Sequence, residues 1–500
     1  MAKNLSKKIS LGIITVLLPF WIQAQEAGAP VVISLDRAIK IALSENPTVK
    51  VADLEIQKQK YAKQSAQSAL YPQIDLIGQY SRAIQKQVMY MDNAFDMESM
   101  LDPLITPMLD GVGRTFAGAG VNPADYQANM AQAQADYAAA HPSTSSSDDG
   151  ISVGRDNTYT GGLQLQWPLV VPTLWKQLEL TSLQVELAVE EARSSKINMV
   201  NSIRKAYYGA LLARDVQNLY QESYDNAILT YNNINDKFKQ GIVAEFDVIR
   251  ADVNAKNIKP SLIQAQNSYN IAILSLKALM GINMDQEITL DGSLSDYEQD
   301  LSAELLSINR TLEGNSDLKK FDIQNEQLKK TLSLYKAQYY PTIALSGKYM
   351  YLSMNNDFKF GDYRWNPYST VDLSISIPIF DGLKKHKDIQ QTKISLQQMK
   401  WQREEVVRNL KLAVDNNISM MTNYVEQVIS TKDVVAQAQK GYEISQKLYD
   451  TGMGTLLDLN TSQLGLIQAS LSFNQAVYNF LASKADLDKT LGVEPPAENE

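Results

Sequence analysis

The chain has 500 residues, a net charge of -9 and no cysteine. That length holds roughly two to four ordinary domains and suffices for a core. The lack of cysteine excludes thiolate metal sites, disulfide scaffolds, cysteine nucleophiles and lipid attachment through an N-terminal cysteine, and it suits an oxidising compartment. The acidic balance argues against nucleic acid, whose phosphates require basic patches.

In chain order, Lys3, Lys7 and Lys8 precede the apolar run Leu11–Ile22, and Ala24 ends a small-residue cleavage site. A basic segment followed by a short apolar one predicts a signal peptide over 1–24. The alternative is a buried core helix. The run is too short for a membrane span, which needs about 20 residues. A first structural unit over 25–282 follows: a helical pattern from Leu35 to Leu70, a strand near 72–84, a strand near 158–168, a long helix near 172–240 and a return helix near 244–280. Between the two strands lies a long acidic loop, 83–157; from Met91 to Gly150 it holds nine Asp or Glu and one basic residue, Arg114. A linker is expected at 283–304. A second unit over 305–493 brings helix, strands near 341–352 and 368–379, a long helix near 382–450 and a return helix near 455–490. The tail 494–500, "EPPAENE" from Glu494, reads as disordered.

The two units repeat one another. "YPQIDLIGQY" from Tyr71 returns 269 residues later within "YYPTIALSGKY", and Asn46 matches Asn315 at the same offset. "GGLQLQWPL" from Gly161 matches "VDLSISIPI" from Val371 at an offset of 210. "FKQGIVAEFDV" from Phe238 matches "YDTGMGTLLDL" from Tyr449, and "LMGI" from Leu279 matches "TLGV" from Thr490, both at 211. The chain reads as a tandem duplication with one residue inserted in a long helix. A helix of about 68 residues spans about 100 Å and must pack lengthwise against others. Gly241 and Gly452 mark turns that fold each long helix back as a hairpin. Pro72, Pro168, Pro341 and Pro378 are expected where helix and strand meet.

The strands alternate with period two. Ile74, Leu76, Gly78 and Tyr80 share one face; Tyr159, Leu163, Leu165 and Trp167 share another. The second unit repeats this with Ile343, Leu345, Gly347 and Tyr349, and with Val371, Leu373, Ile375 and Ile377. A soluble sheet with one wet face would alternate likewise. Strands of about ten residues are long enough to cross a bilayer when tilted. Tyr71, Tyr80, Trp167, Tyr340, Tyr349 and Tyr351, with Trp365 and Tyr368, are expected at strand ends as membrane-interface aromatics. An exported chain with no helical span enters lipid only as a closed barrel. Four strands cannot close one, since single-chain barrels start at about eight, so several chains would each donate four.

Catalytic chemistry is not readable. His141 and His386 have no partner at metal-ligand spacing, and "GVGRTFAG" from Gly111 lacks the Gly-Lys-Ser/Thr of a phosphate loop. The pairs Glu190-Glu191 and Glu404-Glu405 read as solvated helix residues. No enzyme, cofactor or metal is expected.

The duplicated halves, the strand–Pro–helix junctions and the G-x-x-x-x-[LF]-D-[VL] turns together resemble the TolC-like outer-membrane efflux protein family, over nearly the whole mature chain. The resemblance implies an α+β membrane protein: a homotrimer whose 12-stranded outer-membrane β-barrel is continued by a periplasmic α-helical barrel. It implies a passive exit duct for an inner-membrane pump joined through a periplasmic adaptor protein, in a tripartite efflux or type I secretion system. Within it Asp458 matches an acidic ring position, Asp247 its repeat partner, and Tyr449 a linking tyrosine at the tunnel tip. The chain departs from the family at Thr461, where some members have a second ring aspartate, and at Gly454, where some have a linking arginine. The competing reading of each aspartate is a helix-start residue favoured by the dipole. A periplasmic coiled-coil scaffold without a channel is the competing reading of the whole chain.

Overall fold

The computed structural model describes residues 31–89, 122–140, 151–298, 301, 305 and 310–494. The expected signal peptide, Arg114, His141, much of the acidic loop and residues 495–500 lie outside the described residues. In chain order the elements are β1 (Val31–Ile33), α1 (Leu35–Glu45), α2 (Pro47–Ser68), β2 (Gln73–Arg82), β3 (Gln87–Met89), α3 (Pro123–Ala140), β4 (Ile151–Val153), β5 (Asn157–Val170), α4 (Pro172–Lys239), α5 (Glu245–Met280), β6 (Ile288–Leu290), α6 (Ser316–Ala337), β7 (Thr342–Asn355), β8 (Asn366–Ser376), α7 (Lys384–Asp450) and α8 (Leu456–Leu491). None of the described helices is long and apolar enough to cross a membrane.

Among the described residues, one unit gathers those from Val31 to Ala66, those within Lys176–Lys336 and those from Gly382 to Glu494. Its long helices α4 and α7 carry 68 and 67 residues. The helical run expected from Leu35 to Leu70 is broken at Asn46, whose backbone is extended at φ -64 and ψ 127. Pro47 imposes this, because proline disfavours helical geometry in the residue before it and suits the first helical position. Asn46 then serves both sides of the break. Its Oδ1 accepts from Thr48 N at 2.7 Å, and its Nδ2 donates to Leu279 O at the end of α5, also at 2.7 Å.

Asn315 repeats the device. Its Oδ1 accepts from Leu318 N at 2.9 Å, and its Nδ2 donates to Thr490 O at the end of α8 at 2.7 Å. The second helical run, expected to lead from Leu305, therefore has its described helix starting at Ser316. Gly281 and Gly492 close α5 and α8 in the left-handed conformation, both at φ +72. A Cβ at Gly281 would stand 3.0 Å from Asn46 Cα, and one at Gly492 would overlap Gly314 O. Each half thus ties its short helix to the end of its return helix by an Asn–Gly knot.

The main core of this unit draws Ile203, Tyr207 and Leu211 from α4, Leu276 and Met280 from α5, and Phe480 and Leu487 from α8. Burying each such side chain stabilises the fold by about 1.5–3 kcal/mol. Within 283–304, expected as a linker, Ile288, Leu290, Leu294 and Leu301 belong to that core. β6 pairs in parallel with β1, Val31 to Ile288 and Ile33 to Leu290, and Leu294 is fully buried. Side chains of α4 fasten this strap by completing its backbone hydrogen bonding. The Tyr207 hydroxyl reaches Asp291 O at 2.8 Å and Ile33 O at 3.1 Å. Arg214 Nη1 donates to Leu290 O at 2.9 Å, and Asp215 Oδ2 accepts from Leu294 N at 3.2 Å. Arg193 fastens the chain end likewise, donating to Gly314 O, Ser316 Oγ, Gly492 O and Glu494 Oε1 at 3.0 Å each. Glu494, expected in a disordered tail, is therefore held.

The other unit, Gln67–Trp175 with Ala337–Asp381, carries an antiparallel sheet in the order β2-β5-β7-β8. β3 and β4 pair antiparallel as a two-stranded sheet of their own, both within the stretch expected to be only a loop. Pro168, expected where strand becomes helix, lies inside β5, and the ladder shifts register between Pro168 and Val170. A missing amide is tolerated at such an irregularity. The residue that opens α4 is instead Pro172.

Candidate functional site: a one-sided sheet and two helical turns

The sheet register assigns faces to side chains. Residues directly opposite in an antiparallel pair project to the same side. Ile74 faces Leu165, Leu76 faces Leu163 and Tyr80 faces Tyr159. Leu163 faces Tyr349, and Trp167 faces Leu345. Leu345 faces Leu373, and Ile343 faces Ile375. The four apolar rows therefore merge into one apolar face. Gln73, Gln166, Ser346 and Asp372 align on the opposite face, as do Asp75, Gln164, Lys348 and Thr370. The apolar face lies open: Leu76 is 82% exposed and Val371 78%. A monomer in water does not keep such a surface bare without purpose. β2 and β8 end the sheet, each with one side of its backbone unpaired.

The aromatic residues fall at several levels. Tyr71, Trp167 and Tyr340 gather at the end where β2 begins, and Trp167 Nε1 donates to Leu70 O at 3.2 Å. Tyr80 stands at the other end, stacked on Tyr159 with ring centroids 5.0 Å apart and hydrogen-bonded to Asn157 at 2.9 Å. Tyr349 and Tyr351, expected at a strand end, lie within β7, level with Leu163 and Gly161. β7 continues to Asn355 past the expected end at 352, which puts both rings inside the ladder. Their hydroxyls stand 3.3 Å apart.

In the helical unit, both hairpin turns close in the same way. Gly241 and Gly452 take φ of +73 and +76. Ile242 N donates to Lys237 O at 2.9 Å, and Met453 N, 211 residues on, donates to Leu448 O at 2.9 Å. These are six-to-one closures that satisfy otherwise orphaned carbonyls. Gly454, where a linking arginine was the family alternative, leaves a side chain only tight space in this turn. A Cβ there would stand 3.0 Å from Leu448 Cβ and 3.1 Å from Tyr449 N.

The turns differ in how the next helix starts. Thr455 Oγ1 accepts from Asp458 N at 3.1 Å, and Asp458 Oδ2 accepts from Thr455 N at 3.2 Å and from its hydroxyl at 2.6 Å. This is a reciprocal cap. Those hydrogen bonds, the hydroxyl's first, hold the Asp458 carboxyl below the usual carboxylate range. α5 is preceded at its N-cap by Ala244, whose methyl group offers no hydrogen bond, and Asp247 sits in its first turn without a cap partner. Sequence reasoning missed Thr455, although Thr-x-x-Asp is a legible cap spacing.

Ile234, Ala251, Leu456 and Leu459 form a buried cluster that joins the two turns, with Tyr449 packed against it. Burial raises the Tyr449 phenol above its ordinary value, and the nearby carboxylates of Asp247 and Asp450 raise it further. Lys237 Nζ stands 5.8 Å from the centre of the Tyr449 ring. The structure thus brings Tyr449 and Asp247 into one electrostatic neighbourhood and gives Asp458 to a cap. A cavity of about 270 Å³ beside them is lined by Asn233, Asp236, Lys237, Gln446, Tyr449 and Asp450. Among the described residues no acidic or histidine cluster could hold a metal ion.

The geometry comprises a one-sided antiparallel sheet and paired hairpins of very long helices, and its kinship is set by comparison with known proteins. The outer membrane efflux protein family profile matches residues 117–282 and again 307–493, one match in each half. The chain belongs to that family, and it is a TolC-like efflux channel of the outer membrane. Nodulation protein T of Rhizobium leguminosarum bv. trifolii is 23% identical over 342 residues, covering 67% of this chain and 72% of that protein. Outer membrane protein TolC of Escherichia coli strain K12 is 20% identical over 367 residues, covering 68% and 74%. Among solved structures, the Campylobacter jejuni CmeC outer membrane channel superposes with a TM-score of 0.64 at 16% identity, covering 92% of this chain and 85% of that one. CusC superposes at 0.65 and 15% identity, covering 93% of both chains. Membership in a family of channels sets aside the scaffold reading.

Proposed function

We propose that the protein is the exit duct of a tripartite efflux or type I secretion system, passively conducting substrates that an inner-membrane pump and a periplasmic adaptor deliver. In this reading three copies each donate the four strands β2, β5, β7 and β8 to a 12-stranded barrel, with the apolar face toward lipid and the row of Asp75, Gln164 and Lys348 toward water. The observation that carries the reading is the register that merges four apolar rows onto one exposed face. The two open sheet edges support it, because bare edges in a bilayer must be paired. Tyr71, Trp167 and Tyr340 at one end, and Tyr80 at the other, fit the headgroup levels; Tyr349 and Tyr351 then face the hydrocarbon. The α4–α5 and α7–α8 turns form the tip, where Tyr449 and Asp247 contribute to closure and Asp458 presents a fixed negative charge.

The test is extraction followed by planar-bilayer recording. The protein should leave the outer membrane with detergent and not with high salt, and should then give stepwise single-channel currents. Release by salt, or currents that never appear, would overturn the reading. Asp458→Ala should weaken block of the current by divalent cations; unchanged block removes Asp458 from the tip's function.

A further inference from the structure

The ladder that merges the apolar rows onto one side of the sheet also sets what stands on the other side. There the rows that hold Asp372 and Asp75 are polar, but the polarity does not continue. The next row on that side is Ile77, Gly162, Met350 and Tyr368, one residue from each of β2, β5, β7 and β8. Beyond it, Leu352 stands opposite Thr160 and Met354 opposite Thr158. The polar face therefore carries an apolar girdle. Tyr368, grouped in sequence with the membrane-interface aromatics, belongs to it.

The packing of the girdle is close at its centre and open at its ends. A Cβ at Gly162 would overlap Tyr349 O and stand 2.7 Å from Met350 Cα and 3.0 Å from its sulfur. The missing side chain lets the Met350 thioether lie over β5, and Met350 is only 4% exposed. Ile77 and Tyr368 flank it at 38% and 42% exposed. With strands about 4.8 Å apart the row is about 14 Å long, enough to carry an aromatic or aliphatic body.

Charge beside the girdle is uneven. Lys348 faces Thr370 and has Asp372 on its diagonal, an opposite charge within reach across a strand pair. Asp75 faces Gln164 and has Gln166 and Gly162 on its diagonals, so no cation of the described ladder stands beside it. Asp75 is also exposed, and Ile77 is its next neighbour on the same face of β2. An open carboxylate beside an apolar row suits a molecule with a positive charge at one end and an apolar body at the other.

We propose that this row is a cargo subsite for an amphipathic organic cation, which rests its apolar body on Ile77, Met350 and Tyr368 and sets its charged end against Asp75. The proposal rests on the protein being a duct with this face toward water, and it names a class of solute that the duct retains in passing. Docking removes apolar surface of both row and solute from water, which selects for the body. The carboxylate selects the sign of charge. Contact with one wall is shallow, so the solute leaves again, as conduction requires.

Planar-bilayer recording of the full-length, detergent-extracted protein tests this with three solutes. Phenyltrimethylammonium carries both parts, tetramethylammonium lacks the apolar body, and benzenesulfonate reverses the charge. Phenyltrimethylammonium is expected to lower the single-channel current at several-fold lower concentration than either of the others. Asp75→Asn should raise the concentration needed roughly two- to fivefold, the range for an exposed charge pair. Ile77→Ser with Tyr368→Ser should raise it as well while leaving the response to tetramethylammonium unchanged. Should that double variant open no channels, Ile77→Thr carries the same test. Asp458→Ala is the control for a carboxylate elsewhere in the conduit, and block by phenyltrimethylammonium should survive it. Block lost in Asp458→Ala and kept in Asp75→Asn overturns the site. Equal potency of benzenesulfonate overturns the assignment of a cation, and equal potency of tetramethylammonium overturns the role of the apolar row. Currents that no solute alters overturn the subsite and leave the duct standing; no currents at all overturn the duct and the subsite with it.

Discussion

At the turn after α4, Gly241 ends one helix and Ala244 begins the next with no side-chain hydrogen bond; at the turn after α7, Gly452 ends the helix and Thr455 begins the next with a reciprocal cap to Asp458. At the other end of each return helix the two halves agree: Asn46 and Gly281 in the first, Asn315 and Gly492 in the second, tie a short helix to a return helix. Duplication preserved the backbone devices that close helices, because a left-handed residue and a buried amide leave few substitutes. It did not preserve the cap, because water can serve an exposed helix start at small cost.

Breaking the knots tests this contrast most strongly. Gly492→Ala should destabilise by about 3 kcal/mol, combining left-handed backbone strain with overlap on Gly314. Gly281→Ala should cost less, since its Cβ meets Asn46 at 3.0 Å without overlap. Thermal unfolding of the detergent-solubilised variants checks the order. Should Gly281→Ala prove the worse, the second knot is not the tighter one. Asn46→Ala and Asn315→Ala should each cost about 2 kcal/mol, since each strands a carbonyl and an amide. A large difference between those two losses would show that the knots are not equivalent.

The turns offer a reciprocal exchange. Thr455→Ala should cost about 1 kcal/mol through loss of the cap. Ala244→Thr, which sets a hydroxyl three residues before Asp247, should return a stabilisation of similar size, about 0.5–1 kcal/mol. If neither moves the unfolding midpoint, the capping difference between the halves is without consequence.

The smallest effect is a pH dependence. The folded state holds the Asp458 carboxyl low, so its contribution is present above the ordinary carboxylate range and is lost as pH falls through the depressed value. The stability gap between the unsubstituted protein and Thr455→Ala should therefore narrow in acid and stay constant near neutrality. A gap that widens in acid would reverse the assignment.

Some of this was legible in the chain and some was not. The Pro-free run after Pro172 marks the helix that ends at Lys239, and Gly241 announces its turn. The alternation in Ile74–Tyr80 and Val371–Ile377 announces strands. The break at Asn46 was legible in principle from Pro47 but was overridden by the longer helical periodicity around it. The strap at Ile288–Leu290 was not legible, because a three-residue strand has too short a period to stand out from a linker. Tyr349 was misplaced because strand ends depend on the partner strand, and β5 pairs with β7 as far as Asn355. Asp247 and Asp458 look alike in sequence, yet only one has a threonine three residues before it.

The sequence alone determined the duplicated plan, the long helices with their return helices and the two faces of the four main strands, since these follow from local periodicity and from proline and glycine backbone limits. Only the tertiary structure decided that the four apolar rows lie on one face and that Tyr449 stands near Asp247. Those facts depend on register and on contacts between residues from 28 (Leu345 and Leu373) to 202 (Asp247 and Tyr449) positions apart. Local preferences do not reach that far; packing does.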